Sequence, residues 1–121
     1  MSSHVVPHRL GVSLSTLVGF IDDVLAVRKD DLRPGDQVVV KTQNSVYVIR
    51  LLGGGRCAVS GGWFDRQGLS PAVTTVVGCS WGGSAIKVDV VAACWLRLEF
   101  GNRLVTSTIQ RIFVLPHGME N

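Results

Sequence analysis

The sequence predicts a mainly β protein: a small antiparallel β-barrel, or alternatively a two-sheet β-sandwich, with one amphipathic helix near the N-terminus. Three observations support this fold class. The chain has 121 residues, which is enough for one domain with its own core. Beyond residue 35, short runs rich in β-branched residues alternate with glycine-containing turns at intervals of about 8–12 residues. That region contains no segment with a helical pattern long enough for a parallel crossover, so antiparallel pairing is favoured.

The N-terminal part divides into a tail and a helix. Residues 1–12 lack periodicity and contain Pro7 and Gly11, so we expect a flexible tail. The next residues repeat apolar side chains at helical spacing, at Leu14, Leu17, Val18, Ile21, Val24 and Leu25. This spacing predicts an amphipathic helix over residues 13–29, with Ser13 as N-cap and Arg28-Lys29 at the negative end of the dipole. Its apolar stripe either covers an open end of the domain or contacts a second subunit.

The first strands are predicted as hairpins. The turn residues of segment 32–36 lead into an alternating strand over 37–42, and Gln43-Asn44 turns the chain into a second strand over 45–52. Gly53-Gly54-Gly55 then leads into a third strand over 56–60.

The later strands show cleaner alternation between apolar and polar residues. After Pro71 we expect a strand over 72–77 and another over 86–90, in which Ile86, Val88 and Val90 share one face. Leu96, Leu98 and Phe100 form the apolar face of the next strand, and Trp95, Arg97 and Glu99 form its opposite face. Gly101-Asn102 then leads into strands over 103–107 and 109–115. The predicted domain therefore covers residues 13–115, and residues 116–121 form a second tail.

Composition limits the class of protein. The chain is 46% hydrophobic and 17% charged, which is typical of a folded domain. The longest apolar stretch, 12–27, is interrupted by Asp22 and Asp23 and is too short to span a bilayer, and the N-terminus lacks the pattern of an export signal. The three cysteines, Cys57, Cys79 and Cys94, are widely spaced, which favours reduced thiols over a disulfide framework. We therefore expect a cytoplasmic protein without membrane association.

One motif suggests catalysis. Gly78-Cys79-Ser80-Trp81-Gly82 matches the Gly-x-Ser-x-Gly pattern of a serine nucleophile, which requires an exposed serine on a strand-to-helix turn. Here the motif is followed by a predicted strand, and the only later histidine is His117. A glycine-rich bend between strands is therefore favoured, and we assign no catalytic residue.

Metal and cofactor sites are not predicted. His4 and His8 are four residues apart, but Pro7 lies between them and no third ligand is evident. The glycine pairs lack the following lysine and helix of a phosphate-binding loop.

The aromatic residues beside the glycine-rich segments have two interpretations. Trp63, Phe64 and Trp81 could stack on nucleic-acid bases while Arg56 and Arg66 neutralise phosphates. The favoured alternative is that these rings close the ends of the barrel. The net charge of +3 is scattered along the chain and supports a polyanion partner only weakly.

The strand region resembles a group of small bacterial proteins over about residues 35–112. The residues that carry the resemblance are Gly35-Asp36, Thr42-x-Asn44-Ser45-x-Tyr47, Ser60-Gly61-Gly62, Gly78-x-Ser80-x-Gly82-Gly83-Ser84, Glu99 and Thr106-Ser107. The group has no known activity, so the resemblance implies no function. Its glycines and small polar residues constrain turns. Cys79 departs from the uncharged polar residue of the group, which argues against a role for that position.

The leading interpretation is therefore a non-enzymatic interaction or assembly module of unknown function. Its expected partner is a second copy of the chain or another protein. The predicted contact is the apolar stripe of the helix, formed by Leu14, Leu17, Val18, Ile21 and Leu25. The alternatives are a small nucleic-acid-binding barrel and an enzyme of unassigned type, which would need a pocket with converging polar groups.

Overall fold

The structure, a computed structural model, describes residues 24–81 and 86–117. Within these ranges the chain forms nine strands, one short α-helix and one 3-10 turn. The elements in chain order are β1 (Ala26–Arg28), the 3-10 turn (Lys29–Asp31), β2 (Gln37–Thr42), β3 (Val46–Gly53), β4 (Arg56–Gly61), α1 (Gly62–Arg66), β5 (Ala72–Ser80), β6 (Ile86–Lys87), β7 (Val90–Ala93), β8 (Arg97–Phe100) and β9 (Val105–Leu115).

Six of the strands form a closed antiparallel barrel. Neighbours pair in the order β2, β3, β4, β5, β8 and β9, and β9 returns to pair with β2. The β4–β5 pairing, from Arg56 opposite Thr75 to Val59 opposite Ala72, closes the ring. Closure satisfies the backbone groups that open sheet edges would expose. The predicted barrel is thus confirmed over the sandwich.

The core follows the alternation of the strands. Val38 and Val40 of β2 and Leu98 and Phe100 of β8 are fully buried. The predicted β2–β3 hairpin is confirmed, with Val40 opposite Tyr47 and Lys41 opposite Val46. In β8 the buried residues alternate with more exposed ones, because successive side chains point to opposite faces. In β2 Val39 is buried as well, so this strand is covered on both faces.

The predicted helix over residues 13–29 is wrong for the part that the structure describes. Val24 donates its N–H to the Ile112 carbonyl (3.1 Å), and Ala26–Arg28 forms β1, which pairs with β7. Val27 is buried between exposed Ala26 and Arg28, so this segment alternates as a strand does. Sheet pairing and burial outweigh the weak helical preference of a short segment. Residues 13–23, with Leu14, Leu17, Val18 and Ile21, lie outside the described residues, as does the predicted tail.

Two predicted strand boundaries are also wrong. The segment 86–90 is not one strand, because β6 ends at Lys87 and a turn at Val88-Asp89 separates it from β7. Lys29 donates its N–H to the Asp89 carbonyl (3.0 Å), which helps to hold this turn against the chain after β1. Residues 103–107 and 109–115, predicted as two strands, mostly form the single strand β9.

Candidate functional site

The Gly-x-Ser-x-Gly motif begins inside β5 rather than on a strand-to-helix turn. Gly78 lies at a bulge, and a side chain there would collide with the Lys87 carbonyl oxygen. Ser80 is only 1% exposed and stands opposite Ile86 and Arg97 in the neighbouring strands. A buried serine within a sheet does not present an accessible nucleophile, so the motif is structural here.

Two of the three cysteines, Cys57 and Cys79, are buried. Burial raises the pKa of Cys57 to about 11, and burial likewise raises the pKa of Cys79 to about 11. Thiols of this kind are weak nucleophiles at neutral pH, because the thiolate is the reactive form. Among residues 24–81 and 86–117 no group of three His, Cys, Asp or Glu side chains could hold a metal ion. His4 and His8 lie outside the described residues.

An aromatic cluster joins α1 to the core of the barrel. The ring of Phe64 meets those of Trp63 and Phe100 edge to face, both at 5.3 Å, and Tyr47 packs beside them. Phe64 is only 1% exposed and Trp63 is half-buried. Because Phe64 is buried, its ring is not accessible for stacking on bases. Trp81 is different, because its side chain is exposed.

The two arginines predicted for nucleic-acid binding, Arg56 and Arg66, lie far apart. The guanidinium of Arg66 donates to the Ser45 hydroxyl (3.4 Å), just before β3 begins. Arg56 lies opposite Gly53, where β3 ends. Eight residues of extended chain separate Ser45 from Gly53, or roughly 26 Å at the rise of a strand. Arg66 therefore lies near the start of β3 and Arg56 near its end, at opposite ends of the barrel.

Several of the residues that carry the resemblance to the bacterial group stabilise turns of the backbone. The Thr42 hydroxyl accepts the N–H of Ser45 (3.1 Å), and the Ser107 hydroxyl accepts the N–H of Asn44 (3.2 Å). Gly61 has a φ of 96°, and a side chain there would collide with the Val46 carbonyl oxygen. These contacts fix the β2–β3 turn against β4 and β9.

Three exposed, large apolar side chains lie on segments that backbone pairing brings near one another, and we call these residues the tryptophan surface: Leu25 (77% exposed), Trp81 (68%) and Trp95 (67%). Leu25 adjoins Trp95, because Cys94 donates its N–H to the Leu25 carbonyl (2.8 Å). Trp81 directly follows Ser80, whose partner Arg97 lies two residues after Trp95. Pairing thus brings together residues that are far apart in the sequence.

Trp95 has an unusual backbone conformation. It is the third residue of a turn closed by the N–H of Leu96 and the carbonyl of Ala93 (3.2 Å), and its φ is 74°. Glycine or asparagine normally takes this position of such a turn, and for a bulky residue it costs about 1–2 kcal/mol. The alternating pattern had placed Trp95 on the polar side of β8, but it gave no sign of this conformation.

A pocket of about 330 Å³ opens beside the β3–β4 turn. Its apolar floor is formed by Leu32, Leu51, Val76 and Val91. We call it the arginine pocket, because Arg33 and Arg56 lie in its lining with Lys29. Of the residues that line this pocket, the sequence pattern indicates only Arg56 as a binding residue.

Comparisons of the chain with protein-family models, with curated proteins and with solved structures return no match. In the described part of the chain, no helix has the length and apolar character needed to cross a bilayer.

Proposed function

We propose that this domain is a non-enzymatic interaction module that self-associates through the tryptophan surface. The observation that carries the proposal is Trp95, which is exposed and held in a left-handed conformation. Strained backbone positions cluster at functional sites, where the strain fixes the direction of a side chain. An indole presented in this way is suited to contact another molecule.

The energetic argument concerns the apolar area that association removes from water. An aromatic side chain buries about 150–250 Å² when enclosed, so about two-thirds of this area is still available at Trp81 and at Trp95. At about 25 cal/mol per Å², each indole offers roughly 3 kcal/mol before the costs of association. Two such residues beside Leu25 make an aromatic centre of the kind that anchors protein interfaces.

A second copy of the chain is the partner that we propose. Arg28 is the last residue of β1 and Asp89 lies in the turn before β7; they form an ion pair at 3.5 Å, and both are exposed. Because this ion pair contributes one positive and one negative group, a second copy of the same surface is a better partner for it than a polyanion. Twofold pairing of identical patches is the commonest form of homo-oligomer. Leu25, the described member of the predicted interface, belongs to this surface.

The test is the molar mass in solution, measured by light scattering over a range of concentrations. We expect an oligomer for the wild type and a monomer for the double variant Trp81→Ala/Trp95→Ala. Leu69→Asp is the matched control for Leu25→Asp, because Leu69 is also exposed but lies in the connection between α1 and β5. Leu25→Asp should dissociate the oligomer, whereas Leu69→Asp should not. A wild-type monomer at all concentrations would overturn the proposal.

A further inference from the structure

We propose that the arginine pocket binds a small amphipathic anion, a molecule with an apolar body and a carboxylate or phosphate head. This proposal is independent of self-association, because no residue of the tryptophan surface lines the pocket. The cavity volume of about 330 Å³ lies at the lower end of the range for small-molecule sites, about 300–1,000 Å³.

The floor of the pocket selects an apolar body. Val91 and Val76 contribute buried surface from β7 and β5, and Leu51 and Leu32 add half-buried side chains. A hydrocarbon group in this space removes apolar area from water on both partners, which is favourable by about 0.8 kcal/mol per buried CH₂.

The charges of the pocket select an anionic head. Its lining contains Lys29, Arg33 and Arg56 and no carboxylate. The Lys29 ammonium donates to the Val77 carbonyl (3.3 Å), which still leaves donors for a ligand. Within residues 24–81 and 86–117, neither the Arg33 nor the Arg56 guanidinium has a hydrogen-bond or ion-pair partner. Guanidinium groups bind carboxylates and phosphates through paired hydrogen bonds.

The β3–β4 turn leaves the mouth of the pocket open. Gly54 and Gly55 both have positive φ (63° and 79°), as a two-residue hairpin turn requires. A Cβ atom at either position would have no neighbour within 4 Å. Because these residues carry no side chain, a head group can enter between the turn and the two arginines.

The test is a titration of the ¹⁵N-labelled full chain followed by NMR. The probes are octanoate, octyl phosphate, octylammonium and acetate. We expect octanoate or octyl phosphate to bind at least tenfold more tightly than octylammonium and acetate, with the largest shifts at residues 29–33 and 53–56. The relative affinities of octanoate and octyl phosphate distinguish a carboxylate from a phosphate ligand. Equal binding of octylammonium, or no binding of either anion at millimolar concentration, would overturn the proposal.

Two matched variants separate the charge effect from a general change in net charge. Arg33→Glu/Arg56→Glu should weaken anion binding at least tenfold. Arg66→Glu/Arg103→Glu makes the same change in net charge at exposed residues outside the pocket, and it should retain most of the affinity. Equal losses in both variants would contradict a localised site. Leu32→Trp, checked for folding by circular dichroism, should reduce binding of both anions by filling the cavity.

Discussion

The conformation of Trp95 permits a test that separates backbone strain from surface contact. Replacing Trp95 by alanine or by glycine removes the same indole. Only glycine takes a φ of 74° without steric cost, because it has no Cβ atom. Both variants therefore lose the same indole contacts, but only the alanine variant keeps the backbone strain of the left-handed conformation.

The expected difference follows from two opposing terms. A left-handed φ costs a residue with a side chain about 1–2 kcal/mol. Glycine, in turn, loses more conformational freedom on folding, which costs about 0.5–1 kcal/mol relative to alanine. We therefore expect Trp95→Gly to be more stable than Trp95→Ala by roughly 0.5–1 kcal/mol.

The measurement is urea unfolding followed by circular dichroism, under conditions where both variants are monomeric. Trp81 provides the control, since it is similarly exposed but does not have a positive φ. There the order should reverse, with Trp81→Gly less stable than Trp81→Ala by about 0.5–1 kcal/mol.

Two results would refute the reasoning about Trp95. If Trp95→Ala is as stable as Trp95→Gly, or more stable, the left-handed conformation does not persist in solution. If Trp95→Gly associates as strongly as the wild type, the indole does not contribute to the interface. The first result concerns the turn and the second concerns its function, so the two can be distinguished.

Four further predictions concern the body of the barrel. With pKa values near 11, Cys57 and Cys79 have a thiolate fraction of only ~0.1% at pH 8, so iodoacetamide should modify both slowly until urea unfolds the chain. These folded-state pKa values lie above the ordinary cysteine value of 9.0, so each thiol should lower stability as pH rises from 9 towards 11, by at most about 1.4 kcal/mol per pH unit. A flat profile in urea unfolding would contradict this. Gly61→Ala should lower the unfolding free energy by about 2–4 kcal/mol, because its φ is 96° and the new side chain would collide with β3. Gly54→Ala is the control: it has open space around it and should lower the unfolding free energy by only about 1 kcal/mol. Equal losses in the two variants would count against the packing at β3. Asp36→Asn should cost about 1–2 kcal/mol, because the carboxylate accepts two backbone N–H groups, one before β2 (2.9 Å) and one after β9 (2.8 Å), and an unchanged melting temperature would contradict this.

The sequence was informative where local chemistry and burial agree. The β2–β3 hairpin could be predicted because alternation over residues 37–42 and 45–52 meets a two-residue turn. The buried face of β8 could be predicted in the same way, from Leu96, Leu98 and Phe100. Alternation determines which side chains face the core, since a shift of one residue would expose all of them.

The sequence was misleading where a short apolar segment suits two structures. Val24, Leu25 and Arg28 fit a helical stripe, yet the structure uses this segment to pair with Ile112 and with β7. Helical spacing in so short a segment cannot be distinguished from strand alternation without knowing which neighbours are available. The same limit applies at Val88, which continues the alternation of β6 but lies in a turn.

The two proposed sites could not be read from the sequence because long-range contacts assemble them. Leu25 adjoins Trp95 because the Cys94 N–H donates to the Leu25 carbonyl, across about 70 positions of the chain. Arg56 joins Arg33 only where the β3–β4 turn meets the segment before β2. Pattern analysis considers neighbours along the chain and therefore assigned Arg56 and Trp81 to one hypothetical surface. In the structure Arg56 lines the arginine pocket, whereas Trp81 follows Ser80, the residue of β5 that stands opposite Arg97.

Closure of the barrel explains why both proposed sites lie mainly in the connections. Each of the six barrel strands pairs on both sides, so pairing with another chain is not available to them where these pairs form. Trp95 and Arg33 lie in connections, and Trp81 directly follows the last residue of β5. Connections tolerate changes in sequence better than paired strands, because fewer backbone groups depend on them. We therefore expect changes at Trp81, Trp95, Arg33 and Arg56 to alter binding while the barrel remains folded.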